Sequence, residues 1–447
     1  MASAVEQLAK NMNFGAVAKA TELKKRILFV LGALIIYRLG TYIPLPGIDP
    51  DAWQAIYNQR GGGILDMFNM FAGGALGRMT IFALNIMPYI SASIIMQLAA
   101  AMNKKLAEMR KEGETGRMKF NQYTRYLTVF IAAVQAYGLA VGLESWQGPN
   151  GAAVIDPGLF FRVSTVITIV GGTVFLMWLG EQITARGVGN GISLIIFAGI
   201  VAELPRAFVS MLELGRQGQF NLIELLLILI MVVAVITLIV YMERAQRRIT
   251  VQYPKRQAGN KMFGGDVNHI PLKLNTAGVI PPIFASSLLL LPLTIVGFSG
   301  GATTGWAAEI SQYLQHGSIL YMMLFGFLIA FFCFFYTAIV FNPEDNADML
   351  RKYGGFIPGI RPGKNTADYL DYVLTRITTV GAIYLVFICL LPEVLIGHYN
   401  IPFYFGGTSL LIVVTVTLDT VAQVHSHLIA HQYEGLIKKA KLKGRRG

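Results

Sequence analysis

Apolar residues along this chain neither alternate with polar ones nor recur every three or four positions. They run on for long stretches, and charged residues gather in short clusters between the stretches. Ten runs can be read, at 27–43, 80–102, 122–143, 159–179, 190–208, 220–241, 276–298, 318–341, 374–395 and 403–424. Each is roughly 17–25 residues long, the length that crosses a hydrocarbon core of about 30 Å as a helix. Backbone groups find no water in lipid, so such runs are expected to satisfy their own hydrogen bonds as α-helices. The expected fold class is therefore an all-α polytopic membrane protein with ten transmembrane helices. The first run contains Arg38, lacks a small-residue cleavage site and is followed by nine more, which predicts a retained helix and not a signal peptide.

Five runs on each side of a break is an odd number, so a repeat of five would place its second copy upside down. The expected organisation is two inverted, pseudo-symmetric halves, 1–212 with spans 1–5 and 213–447 with spans 6–10. The connection between them is expected near 209–219. The halves share no clear sequence identity, so the inversion rests on the count alone.

One segment breaks the pattern. After Pro44, Pro46 and Pro50 come Gly61-Gly62-Gly63, then Ile64-Leu65-Asp-Met67-Phe68-Asn-Met70-Phe71, then Gly73-Gly74 and Gly77. A helix of eight to twelve residues covers about 12–18 Å, half a membrane at most. Two placements stay open: a re-entrant helix surrounded by protein or a water-filled cavity, or an interfacial helix lying on the membrane surface.

Composition sharpens the class. Hydrophobic residues make up 54% and charged ones 14% of the 447, with mean hydropathy +0.54, against about 25% charged in a soluble domain. The 37 Lys and Arg outnumber the 25 Asp and Glu, for a net charge of +12. Lys and Arg crowd the N-terminal segment, loops 2–3, 6–7 and 8–9 and the tail, while loops 7–8 and 9–10 have none. The strict alternation predicts both termini on the cytoplasmic side. The basic N-terminus and tail are also expected to touch anionic lipids. Loops 6–7 and 8–9 run to some thirty residues with their own Gly, Pro and aromatic content, far beyond ordinary helix connections. They predict a projecting, basic docking surface for a large acidic or RNA-containing partner.

Catalytic chemistry is not expected. The segment from Gly359 to Thr366 has one residue too few between its glycines for a phosphate loop, and Asn365 stands where Ser or Thr is needed. Gly187-Val-Gly189-Asn-Gly191 follows no strand and lacks the third glycine spacing of a dinucleotide loop. His425, His427 and His431 have no carboxylate or thiol at ligand spacing, so no metal is predicted. Cys333 and Cys389 sit inside spans 8 and 9 as small packing residues. No cofactor is expected, and no enzyme. The ionisable residues Arg38, Glu224 and Asp419 fall towards span ends, which weighs against an ion-coupled transporter with a mid-span charge. A secondary solute transporter with inverted repeats stays as the alternative reading.

Isoleucines recur one turn apart beside helix-distorting residues. Ile86 and Ile90 flank Pro88, and Ile192 and Ile196 follow Gly189-Asn-Gly191; Ile283 lies behind Pro281-Pro282, and Ile412 in span 10. Six branched aliphatics could ring a constriction that excludes water and ions by dewetting. From the residues alone, lipid-facing isoleucine is the simpler account.

Several motifs resemble the SecY/Sec61 family in one register from about Leu23 to Lys443. They include Phe82-Ala-Leu-Asn-Ile-Met-Pro-Tyr-Ile-Ser-Ala-Ser-Ile, Lys111-Glu-Gly-Glu-Thr-Gly-Arg117, Gly189-Asn-Gly-Ile-Ser, Ala277-Gly-Val-Ile-Pro, Gly359-Ile-Arg-Pro-Gly and Pro402-Phe-Tyr-Phe-Gly-Gly-Thr-Ser. The resemblance implies a protein-conducting channel of the bacterial cytoplasmic (inner) membrane. Such a channel translocates unfolded preproteins, inserts membrane proteins and binds signal sequences. It implies SecE and SecG as companion subunits, the SecA ATPase and the ribosome as drivers, and a membrane insertase and accessory Sec subunits as further partners. Carried onto matching positions, it makes Ile86, Ile90, Ile192, Ile196, Ile283 and Ile412 a pore ring. It makes Ile64, Leu65, Met67, Phe68, Met70 and Phe71, within the helix 64–74, a plug. It also places Gln97, Thr124 and Asn275 at a lateral gate, and Lys255, Arg256 and Arg361 where SecA or the ribosome docks. For Ile192 to sit level with the rest of the ring, the fifth helix is expected to begin near Gly180.

Overall fold

The computed structural model describes residues 21–60, 69–148, 151–218, 222–253, 256–258, 261–263, 267–298, 318–399 and 407–443. Each of the ten apolar runs carries a helix: α1 (Thr21–Gly40), α3 (Met87–Met102), α5 (Glu114–Ser145), α6 (Leu159–Arg186), α7 (Gly191–Arg216), α8 (Leu222–Arg244), α9 (Ile280–Phe298), α10 (Ile319–Val340), α12 (Lys364–Tyr399) and α13 (Gly407–Lys443). Shorter helices outside the runs are α2 (Pro50–Arg60), α4 (Lys104–Lys111) and α11 (Pro343–Lys352). Seven of the described helices are long and apolar enough to cross a membrane. The chain is a multi-pass helical membrane protein, with outward-facing Ile35, Phe160, Phe327 and Ile383 supplying an apolar exterior.

Local signals explain where the helices start. Asn103 caps Lys105 N–H at 3.0 Å, Ser318 caps Tyr321 N–H at 3.1 Å and Asn342 caps Glu344 N–H at 3.1 Å. Pro88 and Pro343 sit in first turns, where a missing N–H costs nothing.

Three boundaries differ from the sequence expectation. Span 2 was expected from residue 80, but α3 begins at Met87, and 72–86 is a chain of turns. Met79 (φ 44°) and Asn85 (φ 48°) both sit in the left-handed region, which ends any regular helix there. This irregular stretch is walled in by protein: Phe71, Leu76, Met79, Phe82 and Leu84 are all buried. The fifth helix does not begin near Gly180. Instead α6 runs on to Arg186, Gly189 (φ 91°) turns the chain, and Asn190 Oδ1 accepts from Ile192 N–H at 3.1 Å to start α7 at Gly191. The connection expected at 209–219 is largely helical, since α7 continues to Arg216.

The described residues form two compact units, one of Met1–Pro205, Thr294–Gly301 and Val416–Gly447, the other of Arg206–Leu293 and Ala302–Thr415. Within the first, α5 packs on α3 and α6, and α1 on α6. A two-stranded ribbon of β1 (Gln147–Gly148) and β2 (Gly151–Ala152) lies against α2, where Trp53 stacks on Trp146 at 5.5 Å. Within the second, α10 packs on α12. Loop 6–7 holds an antiparallel pair, β3 (Gln246–Gln252) with β6 (Val267–Lys273), and a separate antiparallel pair, β4 (Arg256–Ala258) with β5 (Lys261–Phe263).

Candidate functional site

Ile64, Leu65, Met67 and Phe68, expected in the plug, lie outside the described residues. The segment is described from Asn69, is helical to Phe71 and then turns. Met70 is half-buried and Phe71 buried. Asn85 Nδ2 donates to the Phe71 carbonyl at 2.7 Å, and Asn69 ties the turn together, accepting from Gly74 N–H at 2.8 Å and from Gly77 N–H at 2.7 Å. Gly73 (φ 64°) lies flat against Gly199 of α7, where a Cβ would come within 2.8 Å of the Gly199 Cα. Two guanidinium groups close over the turn. Arg38 Nη1 donates to the Gly73 carbonyl at 2.6 Å, and Arg78 reaches the carbonyls of Gly73 and Gly74 at 3.2 and 3.0 Å.

Five of the six isoleucines expected in the ring are buried. Ile86, Ile90, Ile196, Ile283 and Ile412 expose at most 8%, whereas Ile35 exposes 61%. Ile192 is half-buried, its Cγ1 against Gly180, where a Cβ would stand 3.2 Å away. Ile86 is the N-cap of α3, and its carbonyl accepts from Ile90 N–H at 3.1 Å, which fixes the two side chains one turn apart. Isoleucines outside the expected ring, such as Ile94 and Ile195, are buried as well.

The residues expected at a lateral gate are polar groups in largely buried positions. Thr124 is buried in α5, its hydroxyl turned back to the Phe120 carbonyl at 3.0 Å. Gln97 of α3 donates to Ser93 Oγ at 3.2 Å, while its buried Oε1 has no partner. Asn275, in the other unit, is fully engaged: its Nδ2 donates to Glu243 Oε1 and to the Gly278 carbonyl, and its Oδ1 accepts from Gly278 N–H at 3.1 Å. Glu243 is a functional candidate that the sequence reading missed, because it sits at a span end among loop charges.

The basic loops are built as one body. Ile249, Val251 and Leu272 of the β3–β6 hairpin share a core with Ile357 from loop 8–9 and with Leu370, Val373 and Ile377 of α12. Gln252 and Phe356 exchange two backbone hydrogen bonds at 2.9 Å. On this base Arg361 is exposed between Gly359 (φ 82°) and Gly363 (φ 107°), its carbonyl accepting from Thr366 Oγ1 at 2.9 Å. Arg256 begins β4, and Lys255 lies outside the described residues.

A multi-pass helical protein is thus joined to a buried turn at Gly73–Gly74 and to a β-hairpin that shares a core with loop 8–9. That combination defines a multi-pass helical membrane protein with a structured basic loop region. The SecY family model matches residues 80–421, and the chain belongs to the SecY family. Over 424 residues it is 55% identical to the Protein translocase subunit SecY of Escherichia coli strain K12, covering 95% of this chain and 96% of that protein. A solved structure described by the plug domain of the SecY protein stabilising the closed state of the channel matches with TM-score 0.64, 22% identity and coverage of 90% and 92%. Sec61 in a canine ribosome-channel complex matches with TM-score 0.61, 20% identity and the same coverage of each chain.

Proposed function

We propose that this chain is the gated, passive channel through which unfolded preproteins cross, and membrane proteins enter, the bacterial inner membrane. The observation that carries this reading is 55% identity over 95% of the chain to a translocase subunit. The buried isoleucines support a pore ring of Ile86, Ile90, Ile192, Ile196, Ile283 and Ile412, since apolar branched side chains exclude water without binding a passing chain. The buried end of the 64–74 segment supports its role as the plug. Gln97, Thr124 and Asn275 are the polar residues proposed for a lateral gate. Energy comes from outside the chain, from SecA or from the ribosome, and one structural relative is described in a ribosome-channel complex. SecE and SecG are the companion subunits.

Arg361→Glu tests this reading at the docking platform. A guanidinium held between two left-handed glycines is pre-organised for a carboxylate or phosphate, and charge-assisted hydrogen bonds are worth roughly 1.5–3 kcal/mol. The variant is expected to reach normal membrane levels, because exposed substitutions shift stability by only about ±0.5 kcal/mol. It should stimulate SecA ATP hydrolysis about tenfold less, the equivalent of roughly 1.4 kcal/mol. Unchanged stimulation at physiological salt removes Arg361 from the docking surface.

Orientation is tested separately. Single cysteines in loops 2–3, 6–7 and 8–9 should resist an impermeant thiol reagent added to intact cells, and those in loops 1–2 and 3–4 should react. Labelling of the β3–β6 hairpin from outside would reverse the assigned topology.

A further inference from the structure

The turn that follows the plug is held by charges to which the channel reading gives no task. Glu203 lies in α7, two residues before Pro205, with its side chain 15% exposed. Its Oε1 stands 3.4 Å from Arg78 Nη2 and 3.8 Å from Arg38 Nη2. The same two guanidinium groups converge on the Gly73 carbonyl, and both face the Tyr42 ring, with Cζ 4.2 Å (Arg78) and 5.2 Å (Arg38) from its centroid. Gly74 (φ 80°) fits inside the cluster with no space left over: a Cβ there would fall 2.2 Å from Arg78 Nη2 and 2.4 Å from Glu203 Oε1. Arg38 comes from α1, Arg78 from the turns after the hinge and Glu203 from α7, so the cluster joins the hinge to two spanning helices.

The electrostatics give Glu203 a distinct part. Two cations drawn to one carbonyl oxygen repel each other, and partly buried charges are screened less than surface ones. A carboxylate between them cancels one of the two charges and lets both stay on the hinge. Without it the arrangement holds two unbalanced cations, and the relief is for one of them to swing away and release Gly73. We propose that Glu203, acting through Arg38 and Arg78, is a positioning residue that latches the Gly73–Gly74 hinge and so sets how good a signal sequence must be before the plug moves. The inference rests on the channel reading and adds to it a residue that governs stringency.

The test uses the full chain with its companion subunits, in cells and in proteoliposomes. Glu203→Gln keeps the shape and removes the charge; Glu203→Asp keeps the charge; removal of residues 64–71 is the control for an unplugged channel. Glu203→Gln is expected to export a reporter with a defective signal sequence about tenfold more than the wild type, corresponding to roughly 1.4 kcal/mol in the closed-to-open balance. Glu203→Asp should restore most of the stringency. In proteoliposomes, raising salt from low to high should bring the wild type towards the Glu203→Gln level, because screening weakens the latch only where the charge is present. Wild-type stringency in Glu203→Gln, with the 64–71 deletion leaky, overturns the latch and leaves the channel reading standing. If the deletion is also tight, the plug reading falls and the latch with it. If Glu203→Gln and Glu203→Asp lose membrane abundance alike and the wild type's stringency does not change with salt, Glu203 only holds helices together, and the latch is again overturned.

Discussion

A chain carrying Ile412→Asn is expected to export proteins with defective signal sequences and to leak small ions, while still accumulating in the membrane. Ile412 has no exposed surface, and Ile283 exposes 8%. An amide placed at either position loses its water in the closed state, and burying such a group unpaired costs roughly 1–3 kcal/mol. A hydrated, open pore satisfies it. Because about 1.4 kcal/mol shifts a two-state balance tenfold, the open population should rise by roughly tenfold, and Ile283→Asn should do the same. Ile35→Asn is the comparison: that side chain is 61% exposed on the apolar exterior. There the amide should lower insertion or abundance and give no gain of function. If Ile35→Asn and Ile412→Asn behave alike, the isoleucines do not form the constriction.

Adjacent glycines in α6 predict opposite outcomes for one substitution, and the second large effect lies there. A Cβ at Gly172 would stand 2.2 Å from the Ile81 carbonyl oxygen and 3.1 Å from the Phe82 ring; at Gly171 it would meet nothing within 4 Å. The obstacle at Gly172 is backbone, and that backbone belongs to the irregular stretch before α3, already pinned by hydrogen bonds from Ile81 N–H to Ile43 and from Leu45 N–H to Met79. It cannot retreat as a flexible side chain would. Overpacking costs about 1–3 kcal/mol and sometimes more, and a contact this close belongs at the upper end. Gly172→Val should therefore reduce the folded protein in the membrane about tenfold or more, measured by immunoblot and by protease resistance in detergent. Gly171→Val should match the wild type. Equal levels for the two would mean that α6 does not press on residues 81–82.

The comparison of these residues shows where the sequence was informative. Long apolar runs report helices because lipid leaves the backbone no other option, and every run did contain one. Their ends were less legible. The tract 80–86 is as apolar as a span, yet left-handed Met79 and Asn85 break it, and hydropathy carries no information on φ. The run read from 190 agrees with the helix that starts at Gly191 behind the Asn190 cap; the earlier start near Gly180 came from levelling Ile192 with the ring. The docking loops were legible as structured segments from their length and composition. Their shared core was not, since Val251 and Ile357 lie over a hundred residues apart in sequence and only the fold brings them together. Glu203 was passed over because it stands near a span end, where charges are ordinary; its meaning comes from Arg38 and Arg78. The six isoleucines were found through family resemblance; five of them are buried, as Ile94 and Ile195 also are.

The most direct test of the central claim is preprotein translocation itself. Proteoliposomes containing this chain with its companion subunits, supplied with SecA, ATP and an unfolded preprotein, should protect the preprotein from added protease. Vesicles lacking only this chain should protect none, and vesicles containing it should take up no small solute when the preprotein is withheld. Protease protection that is equal with and without this chain would contradict the account.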